Sequence, residues 1–314
     1  MAILVAADFT PGEWAAWWPE LLEALPGERL VRDRTSEFDV PDESIDVALV
    51  ANPPADALRG LPGLRLVQSL WAGVDGLLAD AGLPADVPLA RMVDPGMNEA
   101  MAQTALWAVL ALHRGLFCYA AQQHRAEWRP QPQRRADEVS VAVLGLGQMG
   151  RATAQRLAAN GYRVSGWSSH AKALDGVTTQ AGPAALAPVL AAAQIVVNLL
   201  PLTPATRGLL NRQTLAMMPR GAGLVNLARG AHVVEADLLE ALDSGQLGHA
   251  VLDVFHTEPL PAEHPFWRHP RVSVLPHIAA QTDPRSAARI AAANVLALRE
   301  RRPLENVVDR VRGY

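Results

Sequence analysis

The 314-residue chain has one cysteine, Cys118, and one lysine, Lys172. A single thiol excludes an intramolecular disulfide framework and a cysteine-rich zinc site, and it fits a reducing, cytoplasmic setting. Cys118 lies in an apolar helical stretch and reads as core filler. The formal net charge is only −4, so no excess of one sign recommends a nucleic acid or an anionic membrane as partner. Long uninterrupted apolar runs are missing. The best imitation of a membrane span, residues 181–202, is broken by Pro183, Pro188, Gln194 and Asn198. It reads as an alanine-rich helix followed by a buried strand at 194–200. The opening MAILVAADF has no basic flank and reads as a strand, not a signal peptide.

What is present is the composition of a folded protein: 50% hydrophobic and 19% charged residues, in a chain long enough for two domains. Strand-like and helix-like segments alternate over the first hundred residues. A strand at 3–7 precedes a helix at 12–25 with Trp14, Trp17, Trp18, Leu21, Leu22 and Leu25 on its apolar side. Short apolar runs follow at 46–50 and 64–69, and Pro53 and Pro54 mark a turn. A long helix at 98–114 runs into a polar, basic linker at 122–135 that contains Pro130 and Pro132. The pattern then restarts. Strands are expected at 139–144, 163–167, 194–200, 223–228, 250–255 and 272–275, with helices at 148–160, 212–218 and 235–244. Strands separated by helix-length segments imply a parallel, doubly wound sheet. A last helix at 285–301 can return to the first domain and make it discontinuous.

The run Gly145-Leu146-Gly147-Gln148-Met149-Gly150 follows an apolar strand and opens a helix. In that context its glycines permit a tight turn, a close backbone approach to a pyrophosphate, and close packing of helix on strand. The free N–H groups of the helix start face the anion. At the end of the next strand an acid would take the ribose 2′-hydroxyl of NAD. Here stand Ser168, Ser169, His170, Ala171 and Lys172, which suit a 2′-phosphate better and point to NADPH, with NADH possible.

Three further segments end strands: Asn226-Leu227-Ala228-Arg229-Gly230, Leu252-Asp253-Val254-Phe255-His256-Thr257-Glu258-Pro259 and Pro276-His277-Ile278-Ala279-Ala280. Ligands of open α/β sheets bind outside the carboxyl ends of the strands, so Arg229, Glu258 and His277 are expected at one rim. Hydride addition to a keto carbon builds negative charge on its oxygen. Arg229 can polarise that oxygen and grip a carboxylate. His277 can supply the proton, and Glu258 can favour its imidazolium form. No metal is required, and the histidines lack HExxH spacing.

Through these motifs the sequence resembles the D-2-hydroxyacid dehydrogenase family. The matching segments are GLGQMG (145–150), NLLPLTPATRGLL (198–210), LVNLARG (224–230), ADLLEALDSGQL (236–247), LDVFHTEPLP (252–261) and LPHIAA (275–280). Within the family it is most similar to the glyoxylate/hydroxypyruvate reductase A branch, through SLWAGVDGLL (69–78), PGMNEAMAQ (95–103), PLPAEHPFWRHPRV (259–272) and VDRVRGY (308–314).

The resemblance implies a Rossmann cofactor domain at 99–281, inserted in a smaller flavodoxin-like α/β substrate domain at 1–98 and 282–314. It implies substrate polarisation by Arg229, proton donation by His277 and a partner role for Glu258. It places the substrate carboxylate on the backbone of Trp71-Ala72-Gly73-Val74, with Met97 in a pocket wall. It adds Leu200, Pro201, Thr206, Leu227, Ala228, Asp253 and Ala279 to the cofactor contacts made by Gly145, Gly147, Gln148, Met149, Gly150, Ser168, Ser169 and Lys172. It also implies a homodimer, with the helix near 98–124 at the interface, and a small 2-keto acid as substrate. Two other readings stay open: a reductase of bulkier 2-keto acids, and a dinucleotide-sensing corepressor of the same fold. The second is disfavoured because corepressors carry extra interaction segments and this chain stops at Tyr314.

Overall fold

The structure is a computed structural model that describes residues 1–32 and 41–314. It divides into two units, Met1–Gly96 with Thr282–Tyr314, and Met97–Gln281.

The first unit holds a parallel five-stranded sheet of β1 (Ala2–Ala7), β2 (Arg29–Val31), β3 (Ile45–Ala51), β4 (Leu66–Ser69) and β5 (Leu89–Ala90), in the order β2-β1-β3-β4-β5. That is the flavodoxin-like order. Strands β1 and β3 are buried along nearly their whole length, as a parallel sheet covered on both faces requires. The helix Pro11–Ala24 starts at a Thr10–Glu13 capping box, which satisfies otherwise free N–H groups of its first turn. Its buried stripe is Trp17, Leu21 and Leu25, at the four-residue spacing of one helix face.

The apolar side read from the sequence was too wide. Leu22 is 47% exposed, and Trp14 and Trp18 lie on the flank, where the Arg32 guanidinium stacks 5.0 and 4.2 Å from their ring centroids. The last helix, Pro284–Arg299, packs in this unit, and Arg299 pairs with Glu28 and with the buried Asp46.

The second unit is built on seven parallel strands: β6 (Ser140–Leu144), β7 (Arg163–Ser168), β8 (Thr178–Ala181), β9 (Ile195–Asn198), β10 (Ala222–Asn226), β11 (Leu247–Leu252) and β12 (Val272–Val274), in the order β12-β11-β10-β9-β6-β7-β8. The order reverses between β6 and β9, which is the doubly wound Rossmann arrangement with its switch point at that pair. Alternate residues of the strands feed two cores, one on each face. Ala142, Leu144 and Val196 belong to one face, and Val141, Val143 and Val197 to the other.

The pairing register runs Trp167–Leu144–Asn198–Asn226–Leu252–Val274 straight across six strands. The residues that follow this row therefore emerge at one rim.

The helix expected at 98–114 runs from Pro95 to His113 and turns by 64° at Gly115 into a second helix, Leu116–His124. Cys118 on that helix is half-buried and its sulfur accepts from the Gln131 side chain at 3.1 Å, so it is not core filler. Among the described residues no single helix is long and apolar enough to cross a membrane.

Candidate active site

The turn after β6 carries Gly145, Gly147 and Gly150. A Cβ on Gly145 would lie 2.5 Å from the Leu199 carbonyl oxygen, and one on Gly150 1.8 Å from that of Gly145. The chain after β9 and the first turn of the helix Gln148–Ala159 thus press on this loop from two sides, and no larger residue fits. Gly147 is the opposite case: a Cβ there would meet nothing within 4 Å, and no side chain caps the helix. The helix start is therefore a cradle open to an anion, as a pyrophosphate requires. Gly147 and Gln148 are exposed and Met149 is half-buried.

At the end of β7 the turn is tied to itself. The Ser168 hydroxyl, 7% exposed, donates to the His170 carbonyl at 2.7 Å, while Ser169 and His170 are exposed. The Lys172 ammonium donates to the Leu146 carbonyl at 2.7 Å, inside the glycine-rich turn. Burial, and the nearby charge of Arg151, lower its pKa.

Arg229 follows β10, and Gly230 beside it is pressed against the Phe255 backbone, where an added Cβ would lie 2.0 Å from the carbonyl carbon. This contact packs the arginine's segment against the loop that carries Glu258. One guanidinium nitrogen of Arg229 donates to the Ala228 carbonyl at 2.7 Å.

Glu258 splits its carboxylate. One oxygen accepts from the Phe255 N–H at 2.8 Å and the other lies 2.7 Å from Nδ1 of His277. Burial would raise the Glu258 pKa, but the bonds from His277 and Phe255 and the charges of His277 and Arg229 outweigh it and hold it below the usual value. The bond to Glu258 raises the His277 pKa against burial and the charge of Arg229. The pair therefore favours a carboxylate facing an imidazolium, with Nε2 left to deliver the proton.

His277 has a φ of 55°, in the left-handed region, which costs a non-glycine residue about 1–3 kcal/mol. Asp253 holds it there. Its carbonyl accepts from the His277 N–H at 3.0 Å, and its two carboxylate oxygens accept from the N–H groups of Ile278 at 2.7 Å and Ala279 at 2.9 Å. Burial raises the Asp253 pKa despite these bonds.

Between the arginine and the chain after β9 lies a set of polar groups, of which Asn198, Asn226 and His232 were given no role by the sequence, while Pro201 and Thr206 were expected as cofactor contacts. Asn198 and Asn226, paired in register, are joined amide to amide at 2.9 Å, and Asn226 donates to the Arg229 carbonyl at 3.0 Å. His232, 0% exposed, reaches the Arg229 and Pro201 carbonyls. Thr206 donates to the Pro201 carbonyl at 2.7 Å. The available signal was polarity: an asparagine closing each of two otherwise apolar strands is the kind of buried group that needs a reason.

Leu200, Leu227, Ala228 and Ala279 are buried in the same unit. Met97, 6% exposed, is the unit's first residue. Trp71, Ala72, Gly73 and Val74 belong to the first unit. There the Ser69 hydroxyl bridges the Trp71 N–H and carbonyl at 3.0 Å each, and the Trp71 indole packs edge-on against Phe9 and Trp17.

A parallel sheet with an anion cradle at its switch point and an Arg, Glu and His set at its carboxyl rim defines a dinucleotide-dependent oxidoreductase. The family model described as D-isomer specific 2-hydroxyacid dehydrogenase, NAD binding domain, matches residues 106–279. The chain is 47% identical to glyoxylate/hydroxypyruvate reductase A of Serratia proteamaculans, over 87% of this chain and 89% of that one. It is similar to the D-isomer specific 2-hydroxyacid dehydrogenase of Xanthobacter autotrophicus in complex with NADPH and MES, at 41% identity and a TM-score of 0.94 over 100% and 99% of the two chains. It is similar also to the NADPH-dependent glyoxylate/hydroxypyruvate reductase of Sinorhizobium meliloti in complex with NADP and sulfate, at 38% identity and 0.92 over 100% and 99%. The chain belongs to the D-isomer specific 2-hydroxyacid dehydrogenase family.

Proposed function

We propose that this protein is an NADPH-preferring reductase of small 2-keto acids, glyoxylate and hydroxypyruvate, and that Arg229, Glu258 and His277 carry its chemistry. The observation that carries the reading is the 2.7 Å pair of Glu258 with His277, in the same unit as Arg229 and an open anion cradle. Relatives named for these two substrates, and similar structures bound to NADPH or NADP, support it.

The cradle of Gly145, Gly147 and Gly150 would hold the cofactor pyrophosphate, with Gln148 and Met149 on the same helix start. Leu200, Pro201, Thr206, Leu227, Ala228, Asp253 and Ala279 would line its path, Ser168 and Ser169 its 2′-phosphate end, and Lys172 would brace the glycine-rich turn beneath it. When bound, the reduced nicotinamide supplies the hydride. Arg229 polarises the keto oxygen and stabilises the charge that forms there. His277, held as imidazolium by Glu258, donates from Nε2 to that oxygen and becomes neutral. In this reading Trp71, Ala72, Gly73 and Val74 form the substrate-carboxylate loop, and Met97 is a wall residue.

The protein acts as a homodimer in this reading. Trp107, Leu110 and Leu116 stand 43%, 37% and 50% exposed on the helices Pro95–His113 and Leu116–His124, an apolar face that a second copy would cover.

Steady-state rates with NADPH and NADH, each with glyoxylate, hydroxypyruvate, pyruvate and a branched keto acid, test the assignment. The expected result is highest kcat/KM for glyoxylate or hydroxypyruvate with NADPH. Activity confined to the branched acid, or to NADH, overturns it.

A further inference from the structure

His232 lies in the short helical turn Gly230–His232 that follows Arg229, and its side chain is 0% exposed. Its two ring nitrogens face two carbonyl oxygens: Nδ1 lies 3.2 Å from that of Arg229, and Nε2 3.2 Å from that of Pro201. These contacts complete a circuit. Pro201 follows Leu200, whose N–H donates to the Asn198 side chain at 3.3 Å. Asn198 donates to Asn226 at 2.9 Å, and Asn226 to the Arg229 carbonyl at 3.0 Å. From that carbonyl the path returns through the imidazole to Pro201. The asparagines tie the bases of the two loops at the strand ends. His232 ties them again three residues further out, at Pro201 and Arg229.

A buried imidazole that only filled space would be replaced at less cost by an apolar side chain, since buried polar groups must find partners. This one faces a carbonyl acceptor on each side: a neutral imidazole donates to one of them and rests against the other, and an imidazolium donates to both. The two carbonyls lie on different strand-end loops. One carries the arginine, and the other is the loop after β9 at the topological switch point, where cofactor sites form. A guanidinium that misses the keto oxygen by about 1 Å loses on the order of a hundredfold in rate.

We propose that His232 is a positioning residue that registers Arg229 against the Pro201 loop through its two-sided contact with their carbonyl groups. The proposal rests on the reading of Arg229 as the substrate-polarising group. His232 touches no reacting atom in it and acts through the arginine alone. A residue that acts through another loses its effect once that other is disabled, so the test is a double-mutant cycle.

The variants are His232→Leu, which removes both ring contacts at similar volume, His232→Asn, which keeps a donor at the Nδ1 position, and Arg229→Lys, alone and combined with each. Rates with glyoxylate and NADPH are expressed per NADPH-binding protein, counted by fluorescence titration, so that unfolded material drops out. If His232→Leu does not fold, His232→Gln takes its place in the cycle. Wild type comes first: no reduction of any 2-keto acid overturns the functional reading, and the role assigned to His232 with it.

With an active wild type, His232→Leu is expected to lower kcat/KM at least thirtyfold while changing the NADPH Kd less than threefold. His232→Asn should regain at least tenfold of that loss. In the Arg229→Lys background His232→Leu should cost less than threefold. An equal loss in both backgrounds, or His232→Asn no better than His232→Leu, reduces the residue to a structural one and overturns the proposal while leaving the function intact.

Discussion

The proposed chemistry turns on His277 as its proton donor. His277→Ala is expected to lower kcat by roughly 10²–10⁴-fold, the range for a lost general acid, while NADPH titration still shows binding. Retention of more than a tenth of the wild-type kcat removes His277 from the mechanism. Its partner sets the pH range. In the proposed mechanism reduction consumes the proton of the imidazolium, whose fraction falls as pH rises through a pKa that the Glu258 bond has raised. Glu258→Gln takes away the negative charge, lowers that pKa, and should move the alkaline limb of the kcat/KM profile to lower pH. A limb that stays put, with chemistry rate-limiting, contradicts the coupling.

At the 2′ end two residues separate by what they touch. Ser168→Asp places a carboxylate where the proposed reading puts the 2′-phosphate of NADPH. Two unit charges about 4 Å apart repel by roughly 4 kcal/mol at an effective dielectric of 20, and about 1.4 kcal/mol, left after screening, is already tenfold. NADPH use should fall at least tenfold and NADH use be spared. Lys172 is bound to the Leu146 carbonyl, so Lys172→Met should weaken NADPH and NADH binding by similar factors. A loss confined to NADPH would make the lysine a phosphate contact instead of a brace. Titration of both cofactors with wild type and both variants reads the two effects.

Among the elements, the strand–turn–helix from β6 to Ala159 has the least freedom to vary. The helix start packs so closely on the turn that Gly150→Ala would drive a Cβ to 1.8 Å from the Gly145 carbonyl. Either the turn or the helix must move. The expected outcome is loss of NADPH binding by at least tenfold together with a lower Tm, seen by fluorescence titration and thermal denaturation. An unchanged Kd would show that the turn does not carry the cofactor. The helix Pro11–Ala24 shows how an element read correctly in outline can be misread in its face. Three tryptophans suggested a broad apolar side, yet the core takes Trp17 and leaves Trp14 and Trp18 to stack with Arg32. Aromatic rings flanked by a guanidinium are well satisfied at a surface, so hydrophobicity alone does not decide which of them goes inside.

For the whole molecule, the exposed apolar face at Trp107, Leu110 and Leu116 leads to a prediction about assembly. Light scattering on the purified protein is expected to return twice the 33.6 kDa chain mass. Leu110→Glu, which sets a charge into that face, should shift it to one chain. A wild type that runs as a monomer at micromolar concentration rules out this dimer.

The alternation of apolar strands with helix-length segments was enough, by itself, to establish parallel α/β architecture, because a strand buried on both faces must be a near-continuous run of Val, Ile, Leu and Ala. It also marked where strands end, and in a parallel sheet strand ends are where ligands bind. For that reason Arg229, Glu258 and His277 could be read as residues that follow strand ends, which is where the structure has them. The short strands Arg29–Val31, Leu89–Ala90 and Thr178–Ala181 were not legible, since none of them stands out as an apolar run between turn residues.

Only the tertiary structure decided which groups meet. Glu258 and His277 are 19 residues apart and lie on different loops, and their 2.7 Å bond depends on the register of β11 with β12 and on Asp253 holding the histidine in a left-handed turn. The same holds for Ser168, whose hydroxyl closes its own turn, for Lys172, which reaches the glycine loop, and for His232. Hydrogen-bond partners are fixed by directions in space across strands distant in sequence, and no local pattern of residues encodes them.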